Sequence, residues 1–272
     1  MGRQFRGHAA APDSAASEGR QALRENIDER RGSPPGELRN GRGVPLSIRA
    51  TSRTLGVVLA AGGSVRMGRP KQLAELDGRP LLAHVLAALE EAPLDRGGIG
   101  GLKPSPPVDR VVVALGGAAD LVLDRVELGR AEPLVVEGWA AGMGHVLAST
   151  LAQAGGDWRA VVVLLGDQPL VAGRAVARVV EAWRAGAGPV VTATYGGRPG
   201  HPKLFDRRLL PDLLRLAGDA GARDLVAAHP DWVHRVEVGD LGSDADVDVE
   251  ADLARVGRML TTITSSSNGR QP

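Results

Sequence analysis

Three short stretches of this sequence gather the residue types that handle phosphate and hard cations. The first is LAAGGSVRMGRPKQL, residues 59 to 73. Gly62, Gly63 and Gly68 carry no Cβ, so backbone N–H groups there can converge on phosphate oxygens, and Arg66 and Lys71 add positive charge suited to a triphosphate. The stretch is neither a Walker loop, which places Lys directly after its second Gly, nor a G-x-G-x-x-G fingerprint. A glycine-rich turn with two solvated cations is the plain alternative. The second stretch is LLGDQPLV, residues 164 to 171, in which an apolar run ends at Gly166 and leaves Asp167 projecting. A carboxylate at a strand end beside a phosphate loop suits Mg²⁺, which prefers oxygen ligands and shares them with substrate phosphates; a helix N-cap is the other role open to it. The third is SDADVDVEADL, residues 243 to 253. Asp246 and Asp248 alternate along an extended segment and share one side, where one or both can reach a common cation. A solvated acidic loop, with Asp252 in the first turn of a helix, explains the same residues.

These groups need elements that bring them together, and the hydrophobic pattern supplies them from Leu55 onward. LGVVLA, VVVAL (111 to 115), PLVVE (133 to 137), AVVVLL (160 to 165) and PVVTAT (189 to 194) read as buried strands. Helical stretches lie between them: PLLAHVLAALEEA, AADLVLDRVE, MGHVLASTLAQA and VAGRAVARVVEAWRA. Strands apolar on both faces, alternating with amphipathic helices, predict a mostly parallel sheet covered on both sides. In such a sheet ligands bind beyond the carboxyl ends of the strands, which is where the glycine loop and Asp167 fall. Residues 97 to 107 read as a loop insertion. Residues 1–54, rich in Arg, Gly, Pro and Ser, read as a disordered extension, and residues 261–272 as a loose tail after a final helix.

The order LAAG, spacer, RMG, PKQL and GDQP is similar to the signature of the MobA-like NTP transferases, in particular the molybdenum cofactor cytidylyltransferases, over residues 55–260. The resemblance implies a three-layer α/β/α, Rossmann-like nucleotidyltransferase fold of the nucleotide-diphospho-sugar transferase type. It implies that Leu59, Ala60, Ala61, Gly62 and Gly63 wrap the NTP phosphates, that Arg66 and Lys71 contact them and act with Asp167 in catalysis, and that Gly142 passes close to the nucleotide. Mg²⁺ would sit on Asp167 and Asp248, with Asp246 the next candidate. The family's D-I-D-T-P-E-D-L ending is altered here, since Val249 and Glu250 replace Thr-Pro while both aspartates remain. GRPGHPKLFD and GDAGARDLV resemble the family's G-H-P-x-L-F and G-D-x-G-A-R-x-L-L motifs, which implies His201 and Arg223 at the acceptor. His201, next to proline, serves a rigid turn almost as readily.

By resemblance, LAAG rather than LAGG favours CTP and a molybdopterin-type acceptor over GTP, with a molybdenum dehydrogenase as a possible recipient of the product. Two alternatives stand beside this reading. One is an enzyme of the same fold using another NTP and a sugar phosphate, polyol phosphate or phospholactate. The other is a non-catalytic chaperone that delivers cofactor to molybdoenzymes, which would be expected to have lost its metal carboxylates.

Composition removes other classes. The 272 residues carry 33 Lys and Arg against 32 Asp and Glu, a net +1, so no overall field singles out nucleic acid or membrane as a partner. Aromatic residues are 3% of the chain, too few for base-stacking platforms. The absence of cysteine excludes disulfides, thiolate metal sites and cysteine nucleophiles. No run approaches the roughly 18 to 20 apolar residues of a membrane span, and the first residues lack the apolar centre of a signal peptide, so a cytoplasmic location is expected.

Overall fold

The computed structural model describes residues 53–63, 67–90 and 106–268. The expectations for residues 1–52, for the insertion up to residue 105 and for Arg66 therefore lie outside the described residues.

The β-branched runs form the sheet: β1 (Thr54–Ala60), β4 (Arg110–Leu115), β5 (Ala131–Val135), β6 (Ala160–Leu165), β7 (Val190–Tyr195), β8 (Arg198–Asp206) and β9 (Val233–Glu237), with β2 (Glu75–Leu76) and β3 (Arg79–Pro80) as a separate small hairpin. The seven strands lie in the order β5-β4-β1-β6-β8-β7-β9. All neighbours are parallel except β8, which runs antiparallel to both β6 and β7.

Helices cover both faces. On one, α1 (Leu81–Glu90), α2 (Ala119–Arg125) and α4 (Gly173–Arg184) pack Leu82, Val85, Leu89, Val122, Val176 and Val180 against Val58, Val113 and Val162. On the other, α3 (Met143–Ala154), α5 (Leu210–Leu213) and α6 (Arg223–Ala228) cover Val57, Val112, Val161, Val163 and Phe205. The spacing of Leu82, Val85, Leu86 and Leu89 at steps of three and four gives α1 its single buried stripe.

A third apolar cluster lies at the carboxyl end of β1 and β6. Ala74, Leu76, Leu81 and Leu170 enclose Val247 and Val256, so the segment before α7 (Glu250–Asn268) is clamped beside Asp167. Val247 is fully buried, and its N–H donates to the Asp167 carbonyl at 3.0 Å. That anchor fixes which way the flanking Asp246 and Asp248 face. The last helix continues through Asn268, so residues 261–268, expected to be loose, extend α7.

The segment 198–206, where the proline beside His201 allowed a rigid turn, forms a nine-residue strand. Proline lacks the N–H of a ladder and is tolerated only where no partner needs it. Pairing with β6 covers only Lys203 to Asp206, and the ladder with β7 is irregular between Thr192 and Thr194, beside Pro202. Both prolines therefore escape the interior of a regular ladder. Among the described residues no helix is long and apolar enough to cross a membrane.

Candidate active site

At the carboxyl edge of β1 and β6, one ammonium group joins all three stretches. Lys71, at the start of the 3-10 turn Lys71–Leu73, donates to Asp167 Oδ2 in a very short contact and to Asp248 Oδ1 at 3.1 Å. Asp167 lies one residue past the end of β6, after Gly166, which lets that strand end lie against β1, its N–H donating to the Leu59 carbonyl at 2.9 Å. A Cβ at Gly166 would sit 2.9 Å from that of Ala60. The side chains of Lys71 and Asp167 are 19% and 16% exposed while Asp248 is 49% exposed, so the group opens to solvent on the Asp248 side. Burial alone would make the Lys71 ammonium easier to deprotonate, but the charges and hydrogen bonds of Asp167 and Asp248 outweigh it and hold lysine above its ordinary range. It is a cation at neutral pH.

Asp167 keeps one unsatisfied valence. Its Oδ1 is buried and has no hydrogen-bond partner among the described residues. Burying a carboxylate oxygen without a donor is costly, so such an atom points to a cation or donor supplied from outside the chain. Asp246 is placed differently from Asp248: its Oδ1 accepts from Gln168 Nε2 at 2.7 Å. Desolvation, with the nearby charges of Asp167, Asp248 and Asp244, raises its carboxyl above the usual range against the pull of the Gln168 amide. Among the described residues no three His, Cys, Asp or Glu side chains form a complete metal cage. A pair of carboxylates that leaves the remaining positions to phosphate and water suits Mg²⁺.

The glycine-rich loop is held by a residue that charge-based reasoning passes over. Gln72 is 2% exposed, and its Nε2 donates to the carbonyls of Ala60 at 2.6 Å and Gly62 at 3.2 Å. Gly62 and Gly63 are exposed, and the space around the Gly62 Cβ position is open. Gln72 and Gln168 both stand inside the quoted motifs. Their amides are the signal, because a buried Gln must spend its donors locally.

A second group of polar residues lies across β8. His201 and Arg223 both fall there, His201 partly buried on β8 and Arg223 at the first position of α6. Gly142 has a φ of 108° and Gly144 donates its N–H to the Gly218 carbonyl at 2.7 Å. A Cβ on Gly142 would overlap the backbone of Gly218, and one on Gly144 would lie 2.6 Å from the Ala217 carbonyl oxygen. These glycines thus join the loop before α3 to the loop before α6. Trp139 lies over Gly116 and Gly117, where it packs against the core.

Comparison with known proteins places this geometry in a family. Residues 56–233 match the MobA-like NTP transferase domain. Nicotine blue oxidoreductase of Paenarthrobacter nicotinovorans is 31% identical over 215 residues, covering 74% of this chain and 95% of that protein. The bifunctional protein GlmU of Rhodospirillum rubrum is 34% identical over 122 residues, 44% of this chain, and the match spans only 24% of that longer protein. The crystal structure of Rv0371c from Mycobacterium tuberculosis H37Rv superposes with a TM-score of 0.64 at 31% identity, covering 76% of this chain and 98% of that one, and Rv0371c has also been solved in complex with manganese. The sheet order, the Lys71 bridge at its carboxyl edge and these matches together place the chain in the MobA-like NTP transferase domain family.

Proposed function

We propose that the chain is a nucleotidyltransferase that moves CMP from CTP to a phosphorylated small molecule, molybdenum cofactor being the first acceptor to test. The observation that carries this reading is the Asp167–Lys71–Asp248 bridge beside an open, glycine-rich loop, with Asp167 Oδ1 left unsatisfied. An acceptor phosphate oxygen attacks the α-phosphorus of the NTP, a new P–O bond forms, the bond to the β-phosphate breaks, and pyrophosphate leaves. The acceptor is already anionic near neutral pH, so no protein base is required.

The protein's own part is binding and positioning. Gln72 fixes the carbonyls of Ala60 and Gly62 and so sets the path of the loop that offers N–H groups to the phosphates. Lys71, already charged, is placed to meet phosphate oxygens, and Arg66 adds a second cation by the family resemblance. Asp167 and Asp248 would hold Mg²⁺, which when bound neutralises charge on the phosphate oxygens. Two carboxylates and an orphaned oxygen suit that ion, and manganese in Rv0371c is in keeping with a divalent cation here.

A relative with an oxidoreductase name shares most of the chain's length, so membership of the family does not by itself decide the chemistry. The retained carboxylate pair favours phosphoryl chemistry over redox chemistry and over a chaperone. The test is pyrophosphate release from each of the four NTPs with Mg²⁺ and molybdopterin cofactor, comparing the protein with Asp167→Asn. CTP-selective release that the substitution abolishes supports the reading. Release with CTP but only from a sugar or polyol phosphate reassigns the acceptor, and no release with any NTP and acceptor overturns the proposal.

A further inference from the structure

The end of the glycine-rich loop and the aspartate segment before α7 meet through Met67, Arg69 and Lys71. Met67 packs against the apolar cluster that holds Val247 and Val256. Arg69 reaches Glu250, the first residue of α7, its Nη2 donating to both carboxylate oxygens at 2.9 Å. Lys71 donates to Asp248 Oδ1 at 3.1 Å. Two stretches 181 positions apart in the chain are thus joined by one apolar contact and two ionic ones.

Ligand binding acts on these contacts differently. Lys71 and Asp248 are the groups assigned to phosphate and cation, so each incoming partner competes for the ammonium or the carboxylate that now face each other. Filling the site therefore weakens the inner contact while the loop and the segment must stay together to hold one metal–nucleotide complex. Arg69 and Glu250 stand outside that exchange, with side chains 49% and 68% exposed. Where the family's pattern has Thr-Pro, this chain has Val249 and Glu250. The Asp252 carboxylate restrains the turn, accepting from the N–H groups of Asp248 at 3.0 Å and Val249 at 3.1 Å. A proline at position 250 would offer Arg69 no carboxylate, so the outer contact comes with this chain's departure from the pattern.

We propose that Arg69 and Glu250 are a positioning pair, holding the segment that bears Asp248 against the glycine-rich loop while Lys71 and Asp248 exchange each other for phosphate and cation. The inference rests on the nucleotidyltransferase reading, since the metal–nucleotide complex is what opens the inner contact. An exposed ion pair adds little to the stability of a fold, and its effect here is to bias one distance. The sign of that effect is diagnostic. A metal–NTP complex carries net negative charge, so by field alone the loss or reversal of the Glu250 carboxylate would tighten its binding. A positioning pair predicts the opposite.

The test is a calorimetric titration of the full chain with each of the four NTPs in excess Mn²⁺ and without acceptor, so that no turnover occurs. The parent protein, Glu250→Gln, Glu250→Arg and the swapped pair Arg69→Glu with Glu250→Arg are compared. Glu250→Gln should weaken binding of the metal–nucleotide about two- to five-fold, the range of an exposed pair, and Glu250→Arg, which sets two cations against each other, should weaken it more. The swapped pair rebuilds the contact at unchanged net charge and should recover most of the parent's affinity. Raised salt should shrink the ratio between parent and Glu250→Gln. Melting temperatures should stay close to the parent's, whereas a pair that served only the fold would lower them and leave nucleotide affinity alone. Equal or tighter binding by Glu250→Arg, or no recovery in the swapped pair, overturns the positioning role. A parent that binds Mn²⁺ but takes up none of the four NTPs sinks the nucleotidyltransferase reading and this proposal with it, an outcome distinct from a parent that binds nucleotide no better than its variants.

Discussion

The two polar regions of this molecule solve the problem of charge in opposite ways. At the carboxyl edge of β1 and β6, Lys71 lies between Asp167 and Asp248, and each charge has an internal counter-charge. On β8, Lys203 stands level with the buried Val163 and Thr192, and among the described residues its side chain makes no hydrogen bond or ion pair. A self-neutralised group can assemble before any ligand arrives, since its charges are compensated in the folded chain. An uncompensated one is held in place by the surrounding sheet and helices, at some cost in stability.

That contrast can be broken from either side. The largest effect is expected from Asp167→Asn, which puts a neutral amide in place of the carboxylate that Lys71 meets and whose Oδ1 is buried. Pyrophosphate release should fall on the order of 10³-fold with the fold intact by circular dichroism, and a fall of only a few-fold would show that the neutralised group is not the reacting centre. Gly142→Ala strains a backbone with a φ of 108° and drives a methyl into the Gly218 backbone, so it should cost about 2 kcal/mol in urea unfolding. Since it disturbs the joint between the loops before α3 and α6, the acceptor KM should rise more than the CTP KM; the reverse split would place this joint on the nucleotide side.

Gln72→Leu sharpens the comparison at the other end. It leaves the Ala60 and Gly62 carbonyls without their donor, and a buried unsatisfied group costs about 1–3 kcal/mol. The expected signature is a weakened CTP-dependent thermal shift.

The smallest effect concerns neither region and serves as the control. Glu237, at the end of β9, accepts from the N–H groups of Gly197, Gly196 and Gly239 and from the Thr194 hydroxyl, which hold its carboxyl down to about 2. Its folded value lies below the unfolded one near 4.5, so its contribution is present at pH 5 and above and is lost as pH falls toward 2. Glu237→Gln should be slightly less stable at neutral pH and should show a shallower loss of melting temperature between pH 5 and 2. Parallel curves for the two proteins would remove that assignment, and neither KM should move.

The alternating apolar runs and the glycine loop are legible in the sequence because a parallel sheet covered by helices imprints both periodicities on the chain. The strands at residues 111–115 and 160–165 and the helix at 143–154 lie where the pattern puts them. Strand β8 is not legible in the same way. Its prolines and glycine carry turn chemistry, and only the irregular ladder beside Pro202 and the short pairing with β6 make it a strand. The same limit applies to the site. Charge and spacing single out Lys71, Asp167 and Asp248, because hard cations and phosphates demand those residue types. That Lys71 bridges the two aspartates and that Asp246 turns to Gln168 depend on segments far apart in the chain, brought together by the burial of Val247, while the hold of Gln72 on the loop depends on its own burial. Residue type and local period belong to the sequence alone. Which charges end up paired, and which are left for a ligand, is decided by packing, because an ion pair is a relation between positions that no single stretch of chain contains.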